Sequence, residues 1–205
     1  MKFVLLGPTG SGKGTQADLL NKKFDIPHLK TDNLINEQIR LGTKYGIEAQ
    51  NYLQNNEPLP DPLITDIVLN HINQYCSSGF TLDGFPKTVY QAEKLHDKYT
   101  IVAAIVLDVP EKEIIRRLTG LKVCQSCNRK YQIDHPPKTE NMCDVCNGKL
   151  SSVEDNSKEN IKKKIKDYNS QIKAIITFYT QLGVLHKIDG TGNSDDVFRE
   201  ILHIA

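Results

Sequence analysis

Three groups of residues combine types and spacing that support chemistry. Gly7-Pro8-Thr9-Gly10-Ser11-Gly12-Lys13-Gly14-Thr15 follows a short apolar run, Lys2 to Leu6, and opens a stretch of helical periodicity. Glycines let a chain wrap with its amides inward, a helix N-terminus adds partial positive charge, and Lys13 adds a full one. The chemistry implied is the grip on a phosphate chain by Gly10, Ser11, Gly12, Lys13, Gly14 and Thr15. Gly14 stands where Ser or Thr usually follows the lysine, so no direct hydroxyl ligand to magnesium is expected there, although Thr15 is next to it. Cys124-x2-Cys127 and, fifteen residues on, Cys143-x2-Cys146 form the second group. Four thiolates in two knuckles match a closed, tetrahedral structural zinc site; a redox pair or loose thiols are the rival readings. Asp83 is the third, at the end of a second apolar run, Gly79 to Leu82. A carboxylate there orients magnesium or its waters, or else serves as a turn residue before Gly84. Cys76 stands alone and is assigned no role.

The elements that must position these groups alternate in type. Strands are predicted at Lys2–Leu6, Gly79–Leu82, Ile101–Leu107 and Val184–Ile188. Helices are predicted near 13–24, 63–75, 90–98, 110–118, 157–182 and 195–204. Ala17, Leu20 and Phe24 recur on one face of the first, and Ile64, Ile67, Val68 and Ile72 on one face of the second. Alternation of this kind predicts a three-layer α/β fold, a parallel sheet with helices on both faces. Residues 30–60 are polar, rich in Asn and Gln, carry two short helices near 32–40 and 44–55, and end in Glu57-Pro58-Leu59-Pro60-Asp61-Pro62. This segment reads as a helical insertion, and 120–156 as a separate cysteine-bearing module.

The 205 residues, 39% hydrophobic and 25% charged, suffice for one sizeable core with small inserted modules. A formal charge of +1 excludes roles that depend on bulk attraction to nucleic acid or anionic membrane. The longest apolar run, Ile101 to Leu107, is far short of the roughly 18 to 20 residues that span a bilayer. Met1 to Leu6 opens like a secretory signal, but Gly7-Pro8 interrupts it, and paired thiols suit a reducing compartment, so a cytoplasmic location is expected. Of the 26 basic residues only Arg40, Arg116, Arg117, Arg129 and Arg199 are arginines.

The loop from Gly7 to Gln16, including the Gly after its Lys, resembles that of adenylate kinases. Asp83-Gly84-Phe85-Pro86-Lys87-Thr88 with Gln91 is similar to the Asp-Gly-Phe-Pro-Arg-Thr motif and following Gln of that family. Val123 to Leu150 resembles the zinc-bearing lid of its long bacterial forms, and Asp189-Gly190-Thr191 the final loop beside the ATP base. The resemblance implies a P-loop NTPase fold of the nucleoside monophosphate kinase type, with a core (1–29, 61–119, 157–205), an AMP-binding insertion (30–60) and a zinc lid (120–156). It implies the reversible reaction ATP + AMP to two ADP with magnesium, in a monomer without nucleic acid or membrane partners, with two flaps that shield the reacting group from water. By the same match Lys13, Asp83, Lys87 and Lys164 serve catalysis, and Arg117 and Leu121 stand at the ATP positions beside the phosphate loop. Thr31, Asn36, Arg40, Glu57, Leu59, Gly84, Lys87, Gln91, Val153 and Lys164 fall on the AMP side, with Gln91 reading adenine.

The pattern departs from the family in its arginines. Asn36, Lys87, Leu121, Val153 and Lys164 occupy positions where arginines are expected, so two keep a charge without the planar fork and three lose it. Arg40 (one helical turn after Asn36), Lys122 and Lys158 are candidates to compensate. Two functional classes follow. One is an adenylate kinase, slow or shifted to another nucleoside monophosphate; the other is a paralogue that holds nucleotide without efficient transfer.

Overall fold

The structure, a computed structural model, describes residues 1–153 and 156–204. In chain order it comprises β1 (Lys2–Leu6), α1 (Lys13–Phe24), β2 (His28–Lys30), α2 (Thr31–Arg40), α3 (Lys44–Gln54), α4 (Asp61–Tyr75), β3 (Phe80–Asp83), α5 (Val89–Lys98) and β4 (Ala103–Asp108). It continues with α6 (Glu111–Thr119), β5 (Lys122–Cys124), β6 (Lys130–Tyr131), β7 (Leu150–Ser152), α7 (Lys158–Gln181), β8 (Leu185–Asp189) and α8 (Ser194–Leu202).

Five strands pair in the order β2-β3-β1-β4-β8, every pair parallel. A parallel sheet needs both faces covered, and side chains alternate between them. Accordingly Phe3 and Leu5 of β1 join Ala103, Ile105 and Leu107 of β4 in one apolar layer, closed by Ala17 and Leu20 of α1 and Val197 and Ile201 of α8. Val4 and Leu6 join Ala104 and Val106 in the opposite layer, closed by α4, α5 and α7 through Ile67, Ile72, Leu95, Ile175 and Tyr179. The three-layer α/β architecture is therefore as the alternation of elements predicts. Ile64 is one departure, being only partly buried while Leu63 and Leu69 join the core in its place.

Two features were not anticipated from the residues. β2 is three residues long, too short for any periodicity, and pairs with β3 so that Lys30 lies level with Asp83. The cysteine segment contains a three-stranded antiparallel sheet, β6-β5-β7, in which Cys124 lies opposite Leu150. In the segment between β2 and β3, α2 and α3 pack on each other and on α4. Among the described residues no helix is long and apolar enough to cross a membrane.

Leu20 is fully buried between α1 and the sheet and so holds the helix that carries Lys13. Leu20→Ala is expected to cost about 2–5 kcal/mol of stability, read as a lower denaturation midpoint at unchanged slope.

Candidate active site

β1 delivers the chain to the carboxyl edge of the sheet, where Gly7, Gly10 and Gly12 take positive φ values of 153°, 90° and 99°. A side chain at Gly10 would bring its Cβ 2.9 Å from Leu118 Cγ, so the turn has no room for one. The left-handed Gly12 starts α1 without any side-chain cap, leaving the first amides of the helix free to face a ligand. Ser11 is 1% exposed and its hydroxyl has no partner among the described residues, an acceptor-and-donor group kept dry inside the loop. Lys13 Nζ folds over the loop, donating to the carbonyls of Gly7 at 2.6 Å and Pro8 at 3.1 Å.

Asp83 stands level with Leu5 of β1, beside this loop. Its Oδ1 is 3.9 Å from Lys13 Nζ and its Oδ2 is 3.6 Å from His28 Nε2, while His28 Nδ1 contacts Asp18 Oδ1 at 2.7 Å. Burial alone would raise the Asp83 carboxyl, but His28, Lys13 and Lys30 outweigh it and hold it below the ordinary carboxylate range. It is an anion at neutral pH. Burial pulls the Lys13 ammonium down, Asp83 opposes that, and the nearby Lys87 charge adds to it. Charge in this small volume is thus dominated by ammonium groups.

The next loop is braced from below. Gln91 is 1% exposed; its Oε1 accepts from the Lys87 amide at 2.7 Å and its Nε2 donates to Asp61 Oδ1 at 2.7 Å. Thr88 Oγ1 donates to the other Asp61 oxygen at 2.7 Å and caps α5 by accepting from the Gln91 amide. One Nε2 hydrogen of Gln91 remains for a ligand. Thr31 Oγ1 donates to the Asp83 carbonyl at 3.4 Å and lies beside Gly84, whose φ is +86°. Lys87 passes the same glycine, its Cε 4.0 Å from where a Gly84 Cβ would be.

Other candidates lie farther out. Asn36, Arg40 and Glu57 are exposed and Leu59 is half-buried against the core. Arg117 donates to the Gly190 and Thr191 carbonyls at 2.9 and 3.3 Å, is held by Glu113 at 2.8 Å, and reaches within 4.0 Å of a Cβ position at Gly12. It therefore joins the final loop to the phosphate loop. Leu121 is half-buried just after α6, and Lys122 turns to Asn141 Oδ1 at 2.7 Å, into the cysteine module. Val153 is half-buried after β7, and Lys164 and Lys158 lie on the exposed side of α7. Glu154 and Asp155, within the span assigned to the lid, and Ala205, within the core span, fall outside the described residues.

The four cysteines converge, their sulfurs all within 4.8 Å of one another. Cys124 and Cys146 sulfurs are 3.4 Å apart and those of Cys127 and Cys143 3.5 Å. A zinc–sulfur bond of about 2.3 Å places tetrahedral ligands about 3.8 Å apart, so the donor set fits such an ion. Both knuckles use the same turn: the amides of Asn128 and Asn147, each at positive φ, return to the carbonyls of Cys124 and Cys143. Tyr131 donates to Cys143 Sγ, and this bond, against the burial penalty and with the Cys146 and Val145 amides, draws the Cys143 thiol down to about 6. Cys146 is pushed up to about 12: the Gly148 amide favours its thiolate, but the sulfurs of Cys127 and Cys124 outweigh it. Crowded thiolates of this kind are relieved by a divalent cation.

The family model described as "Adenylate kinase" matches residues 5–184. The chain is 39% identical to the adenylate kinase of Clostridium tetani over 211 residues, covering 100% of this chain and 98% of that protein. It is 39% identical to that of Clostridium acetobutylicum (100% and 98% covered) and 38% to that of Acetivibrio thermocellus (99% and 97%). The chain belongs to the adenylate kinase family. It is thus a phosphotransferase of the nucleoside monophosphate kinase class, and the parallel sheet with its uncapped loop is the fold of that class.

The sequence pattern singled out the glycine loop, Asp83 and the four cysteines, but not His28, Lys30, Asp18 and Asp61, which the structure sets beside them or their neighbours. The first two sit on the strand too short to detect; the others touch the site only through contacts distant in sequence. Cys143→Ser is expected to remove bound metal and lower the melting of the module, measured by metal analysis and a thermal scan; unchanged metal content would contradict the four-sulfur site.

Proposed function

We propose that the chain catalyses the reversible transfer of the terminal phosphoryl group of ATP to AMP, giving two ADP. The observation that carries this reading is the uncapped glycine loop with Lys13 folded over it, set beside the anionic Asp83, in a chain of this family.

Phosphoryl transfer leaves the protein little covalent work; it must align the reactants and neutralise charge on the moving group. The loop amides, the Ser11 hydroxyl and Lys13 hold the donor phosphates, with Gly14 and Thr15 continuing the cradle along α1. Arg117, fixed against Gly190 and Thr191, borders the donor base. On the acceptor side, Thr31, Gly84 and Lys87 surround the phosphate, Gln91 offers its remaining N–H to the base, and Glu57 and Leu59 line the approach. Asn36, Arg40, Val153 and Lys164 complete that side by their places in the family pattern, and Leu121 does so on the donor side. The helical insertion (30–60) and the cysteine module (120–156) act as flaps on the core (1–29, 61–119, 157–205), excluding water from the transferring group. Cys124, Cys127, Cys143 and Cys146 would hold zinc, which would fix the module's shape without taking part in the reaction. Asp83 would orient magnesium arriving with ATP, and the ion would supply charge neutralisation for the transfer. The working unit is a monomer in the cytoplasm.

The uncharged Asn36, Leu121 and Val153 favour a second reading, a nucleotide holder with little transfer. Removal of one preorganised donor costs roughly 10²–10³ in rate, though losses at one transition state do not simply add. A coupled assay with ATP, magnesium and each of AMP, CMP, UMP and GMP separates the readings. Turnover above about 1 s⁻¹ with AMP is expected; no turnover alongside measurable ATP binding would favour the holder. Asn36→Arg, Leu121→Arg and Val153→Arg together are expected to raise the rate, and an unchanged rate would refute the assignment of those positions.

A further inference from the structure

Beyond helping to keep Asp83 ionised, Lys30 has no role in the site described above. It is the last residue of β2, level with Asp83 across the parallel ladder, at the edge where the phosphate loop opens. Its side chain reaches back over the start of α1. A Cβ placed on Gly14 would lie 3.9 Å from Lys30 Nζ and 3.8 Å from Asp83 Oδ2. The space left by the missing Gly14 side chain is therefore flanked by an ammonium and a carboxylate. Among the described residues the Lys30 side chain makes no hydrogen bond and no ion pair within 4.0 Å, and its charge is one of those that keep Asp83 ionised. It is half-buried and caps nothing, although it stands at the N-cap of α2.

Lys13 and Lys30 thus act on one carboxylate, with Lys87 near Lys13. Lys13 lies 3.9 Å from Asp83, Lys87 is close enough to depress Lys13, and Lys30 completes the set. An excess of positive charge, partly withdrawn from water, is costly unless an anion fills the space. The anion the site is shaped for is a phosphate chain, and Asn36, six residues on, lacks the charge that the acceptor phosphate needs.

We propose that Lys30 is a catalytic residue that contacts the phosphate chain where donor and acceptor meet, supplying there the charge that Asn36 does not. This rests on the phosphotransferase reading and adds to it a specific cation. As a compact point charge, Lys30 neutralises without the two-pronged grip of an arginine, so its benefit is greatest where charge is most concentrated, in transfer itself.

The test compares wild type, Lys30→Met and Lys30→Arg, all metal-loaded, in the coupled assay and in calorimetry with a dinucleotide whose two adenosines are joined by five phosphates. Lys30→Met is expected to lose about a hundredfold in kcat, with KM for ATP and AMP little changed. It is also expected to bind the five-phosphate dinucleotide at least tenfold more weakly, about the worth of one lost charge-assisted contact. Lys30→Arg recovers most of both, and melting is the same in all three. Equal rates and equal dinucleotide affinity in wild type and Lys30→Met would overturn the proposal. So would a loss in both variants that tracks a lowered melting point, since that is a folding role. A wild type without turnover would overturn the phosphotransferase reading instead, and calorimetry on the same proteins would still decide Lys30.

Discussion

The candidate site is built around the backbone amides at the start of α1, which no side chain caps. A helix that starts without a cap carries unpaired N–H groups and the positive end of its dipole, and α1 starts in this way directly behind a glycine turn. The turn is possible only because Gly7, Gly10 and Gly12 adopt backbone angles that other residues rarely take. The parallel sheet then fixes what stands beside it. Pairing of β1 with β3 sets Asp83 level with Leu5, and pairing of β3 with β2 sets Lys30 level with Asp83. The core on either face of the sheet serves to keep those registers.

The second constraint is charge. A site that stabilises a transferring phosphoryl group needs several cations aimed from different directions, and Asn36, Leu121 and Val153 are uncharged at positions where the family resemblance leads one to expect arginines. The structure shows ammonium groups concentrated on the sheet edge instead, from Lys13, Lys30 and Lys87. Arginine is retained at Arg117, where its fork spans two backbone carbonyls and Glu113, a geometry an ammonium could not reproduce. The cysteine module meets a different constraint. Its own buried cluster is small, Cys124, Tyr131, Cys143 and Leu150, and beside it stand four converging sulfurs that could share one metal ion.

The fold was largely legible because its long elements announce themselves. Phe3–Leu6 and Ile101–Leu107 are continuous apolar runs, as strands buried on both faces must be. The phosphate loop and the knuckles were legible for another reason, since fixed spacing is forced by the ligand each must surround. β2 escaped detection because His28-Leu29-Lys30 offers one apolar residue between two polar ones, a pattern that many loops share. Lys30 escaped with it, for nothing in its neighbours reveals that Gly14 leaves it room. The bracing of Gln91 by Asp61 was hidden because the partners lie 30 residues apart.

The most direct test of this account is calorimetric titration of magnesium ATP into the metal-loaded protein and into its Lys13→Met variant. Saturable uptake at one site, weakened at least about tenfold by loss of the ammonium, is the predicted result. Failure of the intact, folded protein to take up ATP, or equal affinity in both, would contradict the claim that free amides and one lysine enclose a polyphosphate.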